Sequence, residues 1–220
     1  MRYPGGKFRC YQRLISLIPP HRTYIESHLG GGAVMRHKKP ADHNVGIDVD
    51  HRVIARFTGF PKGFTFICSR AEEYLSQYHF TGDEFVYADP PYWPASRRSA
   101  RAAYRHDYTE ENHVQLLTLL RGLKCPVMIS GYDNEVYGRM LHGWRHQTFW
   151  GTSHTGRREE SVWMNYPAGE LHDTRFLGAD YRERQSIQRK RTRWVQKFLR
   201  EPVPVRQALL ADLRNAHRRA

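Results

Sequence analysis

Cysteine and long apolar runs are scarce in this sequence of 220 residues. The three cysteines, Cys10, Cys68 and Cys125, are odd in number and lack the spacing of metal ligands, so we expect reduced thiols, mostly in the core. No apolar run approaches the roughly 20 residues of a membrane span, and the amino terminus has no signal-peptide core. We therefore expect a cytosolic protein that has neither a disulfide framework nor a membrane span.

A metal-binding pattern is also missing. The sequence has 13 histidines, but they are scattered along the chain. His51, His106, His113 and His154 have no cysteine or carboxylate partner at ligand spacing. We expect no metal cofactor.

Acidic residues are too few to balance the basic ones. The chain has 35 Lys and Arg against 22 Asp and Glu, which gives a formal net charge of +13. Residues 171–220 hold 13 Lys and Arg against 5 Asp and Glu, so this segment alone accounts for +8. A basic segment is either a solvated face or a surface that contacts phosphates. The arginines, together with Trp194 and Phe198, favour phosphate contact here.

The most informative motif is Asp-Pro-Pro-Tyr at residues 89–92, directly after the apolar run 85–88. Its two prolines each fix φ at about −65° and lack an N–H. The carbonyls of Asp89 and Pro90 then have no local partner and can face a ligand. A carboxylate, a carbonyl and the ring of Tyr92 would suit a flat base with an exocyclic amino group. The alternative is a structural Pro-Pro turn with a buried tyrosine.

A glycine-rich turn follows the strand predicted at 23–26. Gly30 and Gly32 permit a tight turn and a close approach of the backbone to a ligand. Such a turn binds a dinucleotide, a phosphate or nothing, and no Gly-Lys-Ser/Thr follows that would make it a phosphate-binding loop. Asp48, at the end of the next predicted strand, is typical of a carboxylate that accepts ribose hydroxyls.

Strands and helices alternate along the first part of the chain. The pattern predicts a doubly wound, Rossmann-like α/β sheet of about seven strands, with a ligand at the carboxyl ends of the strands. We expect residues 1–170 to form this domain and residues 171–220 to form a basic helical tail, broken at Pro202-Val203-Pro204. Strands are predicted at 23–26, 45–48, 64–68, 85–88 and 126–130, with a closing hairpin of 144–150 and 161–166. Helices are predicted at 9–18, 33–37, 109–120, 136–141, 179–199 and 205–214.

Taken in order, these motifs resemble the Dam-like DNA adenine N6-methyltransferases. The resemblance runs from Arg2 to about Pro167, and Asp-Pro-Pro-Tyr is the catalytic motif of that family. Any one motif could arise by chance, but their common order is specific. The other matching segments are Tyr3-Pro4-Gly5-Gly6-Lys7, Tyr24-Ile25-Glu26 through Gly30-Gly31-Gly32-Ala33-Val34, Gly46-Ile47-Asp48, Ile129-Ser130-Gly131-Tyr132 with Tyr137, and Glu160-Ser161-Val162-Trp163-Met164-Asn165-Tyr166.

The resemblance implies S-adenosylmethionine as the methyl donor and an adenine of double-stranded DNA as the acceptor. We expect direct in-line transfer to a flipped-out base, without a covalent enzyme intermediate. The catalytic residues that it implies are Asp89, Pro90 and Tyr92. The cofactor contacts that it implies are Tyr3, Lys7, Glu26, Gly30, Gly32 and Asp48.

Three features depart from the family pattern. Ser27-His28 stand where the family usually has proline and an aromatic residue. Ser69 or Arg70 stands where the family often offers an acid to the cofactor adenine. Between the third strand and the catalytic motif the chain has only residues 70–84, whereas family members usually insert a sizeable target-recognition domain there.

Without an inserted domain, DNA must be bound by other basic segments. Residues 94–106 follow the catalytic motif and carry four arginines and no acid, the hairpin near 152–158 is a second candidate, and the tail is a third. A merely solvated arginine-rich loop is the alternative. So compact a protein predicts a short recognition sequence or weak specificity. The arginines that we expect to contact DNA are Arg97, Arg98, Arg101, Arg105, Arg157 and Arg158.

Other interpretations share parts of this pattern. An RNA adenine methyltransferase would have the same fold and catalytic motif. Methylation of cytosine N4 is less favoured, because aspartate in the first motif position fits adenine better within such enzymes. A non-catalytic DNA-binding protein of this fold is disfavoured because Asp89, Tyr92, Asp48 and the glycine turn are all intact.

Overall fold

The computed structural model describes residues 7, 10–94, 106–153 and 156–219, and only the backbone of 151–153, 156–158 and 219. Its strands are β1 (Thr23–Glu26), β2 (His43–Asp48), β3 (Phe64–Cys68), β4 (Glu84–Ala88), β5 (Val127–Gly131), β6 (Arg145–Ser153) and β7 (Gly156–Met164). Its helices are α1 (Tyr11–Ile15), α2 (Ala33–His37), α3 (His51–Ile54), α4 (Ala71–Gln77), α5 (Glu110–Gly122), α6 (Glu135–Met140), α7 (Tyr181–Arg200) and α8 (Val203–Arg219).

The seven strands form one sheet in the order β3-β2-β1-β4-β5-β7-β6. Strands β1 to β5 are parallel, and β7 lies antiparallel between β5 and β6. Helices cover the parallel strands because each parallel connection must cross over a face of the sheet. The predicted doubly wound, Rossmann-like α/β sheet with a closing hairpin is therefore confirmed.

The carboxyl ends of three neighbouring strands bring acidic residues to one edge of the sheet. Glu26 is the last residue of β1, Asp48 is the last of β2, and Asp89 directly follows β4. Parallel strands share the edge at which they end, and open α/β sheets bind their ligands outside that edge. Three of the predicted site residues, Glu26, Asp48 and Asp89, therefore lie at one common edge of the sheet.

The centre of the sheet is buried on both faces. Every residue of β4 and β5 is buried, as expected for central strands that helices cover on each side. Helix α5 packs Leu116, Leu117 and Leu120 into the core cluster that holds Ile129. A capping box at Thr109 fixes its start. This packing holds the carboxyl end of β4 rigidly in place.

The chain divides into two compact units, Met1–Thr174 and Arg175–Ala220. In the second unit, α8 begins at Val203 and carries Pro204 in its first turn, where a missing N–H costs no helical hydrogen bond. The break between α7 and α8 therefore lies at Glu201–Pro202, at the start of the predicted break. None of the helices in the described ranges combines the length and apolar character that crossing a membrane requires.

All three cysteines are free thiols. Cys10 and Cys125 are buried and Cys68 is exposed, so the prediction of reduced thiols mostly in the core is confirmed. Burial raises the pKa of each buried thiol to about 12. Neither buried thiol is therefore a nucleophile near neutral pH.

Candidate active site

Asp89 lies at the carboxyl end of β4, where two donors hold one of its carboxylate oxygens. Lys7 Nζ donates to Oδ1 at 2.6 Å, and Ser130 Oγ donates to the same atom at 2.8 Å. Ser130 lies on the adjacent strand β5, and its oxygen is 2.9 Å from the hydroxyl of Tyr87. Within the described ranges no donor reaches Oδ2. That oxygen is the one that can accept a hydrogen bond from a substrate.

The hydroxyl of Tyr92 joins this arrangement to a second carboxylate. It accepts a hydrogen bond from Lys7 Nζ at 2.7 Å and lies 3.2 Å from both carboxylate oxygens of Glu160, to which it donates. Its ring stacks on Tyr132 with the ring centroids 4.2 Å apart. We call the following residues the catalytic cluster: Lys7, Asp89, Tyr92, Ser130 and Glu160.

The charges of the catalytic cluster are strongly coupled. Burial lowers the pKa of Lys7, but the neighbouring Asp89, Tyr92 and Glu160 outweigh that effect and hold the pKa well above its ordinary value. Burial raises the pKa of Asp89, and the Lys7 ammonium opposes that rise. One ammonium lies between two carboxylates, since Lys7 Nζ is also 3.6 Å from Glu160. The formal charge of the cluster is therefore −1.

The Asp-Pro-Pro-Tyr motif also presents two backbone carbonyl groups, those of Asp89 and Pro90. No donor among the residues that the structure describes reaches the carbonyl of Asp89 or of Pro90. Proline has no N–H and cannot continue a ladder or a helix, so the local backbone offers no partner. The site therefore offers a carboxylate oxygen and a backbone carbonyl as acceptors.

The glycine turn has the backbone conformation that glycine alone adopts easily. Gly30 has φ 47° and Gly32 has φ 60°, both in the left-handed region. A Cβ at Gly32 would lie 2.6 Å from the ring of Phe57. A side chain at Gly32 would therefore clash with the ring of Phe57, so both the backbone conformation and the packing of this turn require glycine.

Asp48 is tied to this turn by its carboxylate. Oδ2 accepts the N–H of Gly30 at 2.8 Å, and Oδ1 accepts the N–H of Asp50 at 2.9 Å. Each carboxylate oxygen keeps a further lone pair for a ligand hydroxyl. Burial raises the pKa of Asp48, and these two hydrogen bonds oppose the rise. The geometry suits the predicted contact with ribose hydroxyls.

Glu26, also predicted as a cofactor contact, directs its carboxylate into the fold. Oε2 accepts hydrogen bonds from the hydroxyl of Tyr24 and from the N–H of Met35, each at 2.9 Å. Burial raises its pKa to about 8. Because Met35 lies in α2, directly after the glycine turn, Glu26 positions that turn from beneath.

His28, which departs from the family pattern, belongs to a hydrogen-bonded chain with Tyr108 and Glu72. His28 Nε2 lies 2.9 Å from the hydroxyl of Tyr108, which donates to Glu72 at 2.6 Å. Burial, followed by the charges of His113 and Arg70, lowers the pKa of His28 to about 3, so this ring is neutral at pH 7. Glu72, the second residue of α4, is thus an acid close to Ser69 and Arg70, which stand where the family often has an acid.

The predicted contacts of Tyr3 with the cofactor and of six arginines with DNA stay predictions. Tyr3, Arg97, Arg98, Arg101 and Arg105 lie outside the described residues. Arg157 and Arg158 lie on β7, where their backbones pair with Thr152 and Gly151 of β6. They therefore lie next to the tip of the closing hairpin.

Sequence reasoning assigned Lys7 to the cofactor and gave Glu160 and Ser130 no role. The structure brings Lys7 Nζ to Asp89, across 82 positions in sequence, and the contact of Lys7 with the cofactor stays a prediction. An acid in a strand with buried neighbours was the available signal for Glu160, which is only 7% exposed. Buried acids are rarely left unpaired, so Glu160 required a partner that local sequence could not name.

No group of His, Cys, Asp and Glu side chains in the described ranges could hold a metal ion. The site chemistry described above rests on carboxylates, carbonyls, an ammonium and aromatic rings. These groups recognise and polarise an amino group by hydrogen bonding.

Residues 49–147 match the family described as D12 class N6 adenine-specific DNA methyltransferase. The matched segment contains β3, β4, the Asp-Pro-Pro-Tyr motif, α5 and β5. The predicted resemblance to DNA adenine methyltransferases is confirmed by this match, and S-adenosylmethionine is the cofactor that accompanies it. No curated protein matches the sequence.

Several solved structures resemble the fold at low sequence identity. Precorrin 8W decarboxylase from Methanobacterium thermoautotrophicum is 10% identical, with 75% of this chain and 94% of that chain covered and a TM-score of 0.47. An rRNA methylase from Streptococcus thermophilus is also 10% identical, with 74% and 97% covered and a TM-score of 0.46. Magnesium protoporphyrin IX methyltransferase from Synechocystis PCC 6803 is 11% identical, with 71% and 75% covered and a TM-score of 0.44.

Proposed function

We propose that this methyltransferase, whose residues 49–147 match the D12 class, transfers the methyl group of S-adenosylmethionine to the exocyclic N6 of adenine in DNA. One observation carries the proposal. Asp89 has Oδ1 held by Lys7 and Ser130, while Oδ2 and the Pro90 carbonyl have no donor among the described residues. Two acceptors at one point match the two N–H groups of an adenine amino group.

The acceptors address the main chemical difficulty of the reaction. The lone pair of the adenine amino nitrogen is delocalised into the ring, so the nitrogen is a poor nucleophile. Hydrogen bonds from both N–H groups to Asp89 Oδ2 and to the Pro90 carbonyl favour a pyramidal nitrogen with its lone pair directed outward. Lys7 and Ser130 fix the carboxylate that makes this contact, so it need not reorganise during the reaction.

The cofactor surface lies at the neighbouring strand ends. When bound, S-adenosylmethionine supplies a methyl group on a positively charged sulfonium. Asp48 accepts the ribose hydroxyls, the turn at Gly30 and Gly32 allows close backbone approach, and Glu26 holds that turn through Met35. Tyr3 is proposed as a further contact. The formal charge of −1 on the catalytic cluster attracts a sulfonium.

The target base must leave the duplex stack to reach Asp89, at a cost of a few kcal/mol. Tyr92 recovers part of that cost by stacking on the base. Tyr132 already stacks on this ring, so the base is proposed to stack beside that pair of rings or to displace Tyr132. The four arginines of 97–105, with Arg157 and Arg158, are proposed to contact the phosphates around the flipped base.

The test is transfer of tritiated methyl groups from the cofactor to matched DNA and RNA duplexes. We expect transfer to DNA, loss of transfer in Asp89→Ala, and cofactor affinity in that variant within about twofold of wild type. Asp83→Ala, the same change at the exposed opposite end of β4, is the matched control and should stay active. Full activity in Asp89→Ala, or transfer to RNA alone, would sink the proposal. Sequencing of the product DNA with base-modification detection then identifies the base and its context.

A further inference from the structure

Helix α7 carries a concentration of positive charge that the proposed site does not use. Its 20 residues hold eight Lys and Arg and one acid, Glu183. Oε2 of Glu183 accepts the backbone N–H of Ala179 at 2.7 Å, so this carboxylate serves the start of the helix. Its neighbours one turn on are Ser186 and Ile187, so no cation stands three or four residues after Glu183, where it would face that carboxylate.

Most of these cations lie on one face. Arg182, Arg189, Arg193 and Arg200 are spaced by seven, four and seven residues, which an α-helix of 3.6 residues per turn places in one row. Lys190 and Lys197 flank that row. We call these six residues the basic row. All six are exposed, and within the described part of the chain none of them forms an ion pair.

The positive charges of the basic row repel one another when no negative charge neutralises them. Arg193 lies four residues from both Arg189 and Lys197, and like charges at that spacing destabilise a helix. A ligand with regularly spaced negative charges would stabilise such a helix most, because each charge would offset part of this repulsion. The row is about 27 Å long, which corresponds to about eight base pairs of duplex DNA.

We propose that the basic row of α7 binds the sugar–phosphate backbone of double-stranded DNA, independently of base sequence. The choice of DNA as the polyanion rests on the proposed function. Phosphate contacts of this kind supply affinity and position the protein without reading bases. The basic row thereby supplies part of the DNA affinity that a large target-recognition insertion supplies in proteins that have one.

A membrane surface is the less suitable occupant. An interfacial helix needs a continuous apolar face opposite its cations. In α7 the apolar residues opposite the basic row, Trp194, Val195 and Phe198, are confined to the second half of the helix. Between 182 and 193 the same side carries one apolar residue, Ile187, beside Arg184 and Arg191. Burial of that side in lipid would carry two guanidinium groups with it.

The experiment compares the full-length wild type with Arg182→Gln, Arg189→Gln, Arg193→Gln and Arg200→Gln combined. Glutamine has nearly the helix propensity of arginine, so α7 should persist. Binding to two unrelated labelled DNA duplexes is measured by fluorescence anisotropy over a range of NaCl concentrations. We expect the variant to bind both duplexes at least tenfold more weakly, with the slope of log K against log salt smaller by about 4. Circular dichroism checks the fold.

A matched control removes the same charge from the first unit. Arg56, Lys62, Arg121 and Lys124 are exposed there, and their combined change to glutamine should alter the slope by less than about 1. An equal slope change in control and test variant overturns the proposal. So does an unchanged slope in the α7 variant, tighter binding to duplex RNA than to DNA, or α7-dependent binding to anionic phospholipid vesicles with DNA binding unaffected.

The outcome separates this inference from the proposed function. If no methyl transfer to DNA occurs but the four changes abolish DNA binding, the proposed function fails and the α7 surface stands. If the wild type methylates DNA and the variant has the same KM for DNA and the same salt slope, the proposed function stands and the α7 surface fails. Methyl transfer at saturating DNA should be similar in wild type and variant, since none of the four residues belongs to the catalytic cluster.

Discussion

The ammonium of Lys7 lies 2.6 Å from Asp89 Oδ1, and Lys7 is buried. A buried carboxylate that loses its only neighbouring cation becomes harder to ionise. In the proposed reaction, the ionised form of Asp89 is the stronger acceptor for the adenine amino group. The pH at which methyl transfer begins therefore depends on the charge that Lys7 places beside Asp89.

We predict that Lys7→Met raises the pKa of Asp89 and moves the acid limb of kcat upward by about 1–3 pH units. The measurement is the pH dependence of kcat at saturating DNA and cofactor, with Lys62→Met as an exposed control. Calorimetric titration with the cofactor tests the predicted contact between Lys7 and the cofactor. If that contact exists, its loss should weaken cofactor binding in Lys7→Met. An acid limb that stays in place would show that Lys7 does not tune Asp89.

Glu26 makes stability depend on pH in a defined direction. Burial raises its pKa to about 8 in the folded protein, from an ordinary value of 4.5. The folded state therefore keeps a proton that the unfolded state releases, and stability falls as pH rises through this window. His28, with a pKa lowered to about 3, acts in the opposite direction between about pH 3 and 6.5.

We predict that Glu26→Gln removes this fall in stability with rising pH, because glutamine does not titrate and can still accept hydrogen bonds from Tyr24 and Met35. The difference in unfolding free energy between the variant and wild type should grow in favour of the variant by up to about 1.4 kcal/mol per pH unit between pH 5 and 7. Urea unfolding of both proteins at several pH values measures it. His28 titrates in both proteins and cancels from the difference. Parallel pH curves would contradict the assignment.

At the scale of elements, the glycine turn depends on a backbone conformation that alanine adopts only with strain. Gly32 has φ 60°, and its Cβ would lie 2.6 Å from Phe57. We predict that Gly32→Ala costs at least about 2 kcal/mol of stability and most of the cofactor affinity. Thermal unfolding and calorimetric titration of the cofactor measure the two effects.

Gly138 is the matched control for that change. It lies inside α6 with an ordinary helical φ, and a Cβ there meets nothing within 4 Å. Gly138→Ala should leave cofactor affinity unchanged and add up to about 1 kcal/mol of stability. Equal effects at the two glycines would argue against a special role for the turn.

The strands could be predicted because their apolar runs are bounded by glycine, proline and acidic residues. The predicted strand 23–26 and helix 33–37 agree with β1 and α2. Helices α3 and α4 were not predicted, because four and seven residues are too few for an apolar stripe to repeat. The closing hairpin is longer than predicted, since the register of β6 and β7 continues through polar residues toward its tip.

The role of Asp89 as a hydrogen-bond acceptor could be predicted because the motif is local. The residues around it could not be predicted, because Lys7, Ser130 and Glu160 come from segments far apart in sequence and meet only through the order of the strands. Glu26 shows the opposite case. Its position at a strand end is typical of a cofactor contact, yet its hydrogen bonds to Tyr24 and Met35 are set by packing.

At the scale of the whole molecule, the segment just before the end of the first unit is tied to the sheet domain. The N–H of His172 donates to Ile18 O at 3.0 Å, and its ring stacks on His21 with centroids 4.0 Å apart. Asp173, buried, accepts the N–H of Lys39 at 2.8 Å. The predicted boundary at 170/171 precedes these contacts, whereas the division after Thr174 follows them.

We predict that a chain ending at Thr174 keeps the cofactor affinity of the full chain, whereas a chain ending at Glu170 is less stable by several kcal/mol. The shorter chain leaves His21 and the Lys39 N–H without their partners. Urea unfolding and cofactor titration of both chains measure the difference. Equal stability of the two chains would place the boundary at 170.

The contact of Lys7 with Glu160 has a consequence for the order in which the protein becomes active. The two residues lie 153 positions apart, and β7, which carries Glu160, must enter the sheet beside β5 before they can meet. Such long-range pairing forms late in folding. During synthesis, a ribosome-bound chain that already displays Asp-Pro-Pro-Tyr still lacks the carboxylate that anchors Tyr92. Under the proposed function, we therefore expect methyl transfer to begin only after β7 has been synthesised and has paired with β5.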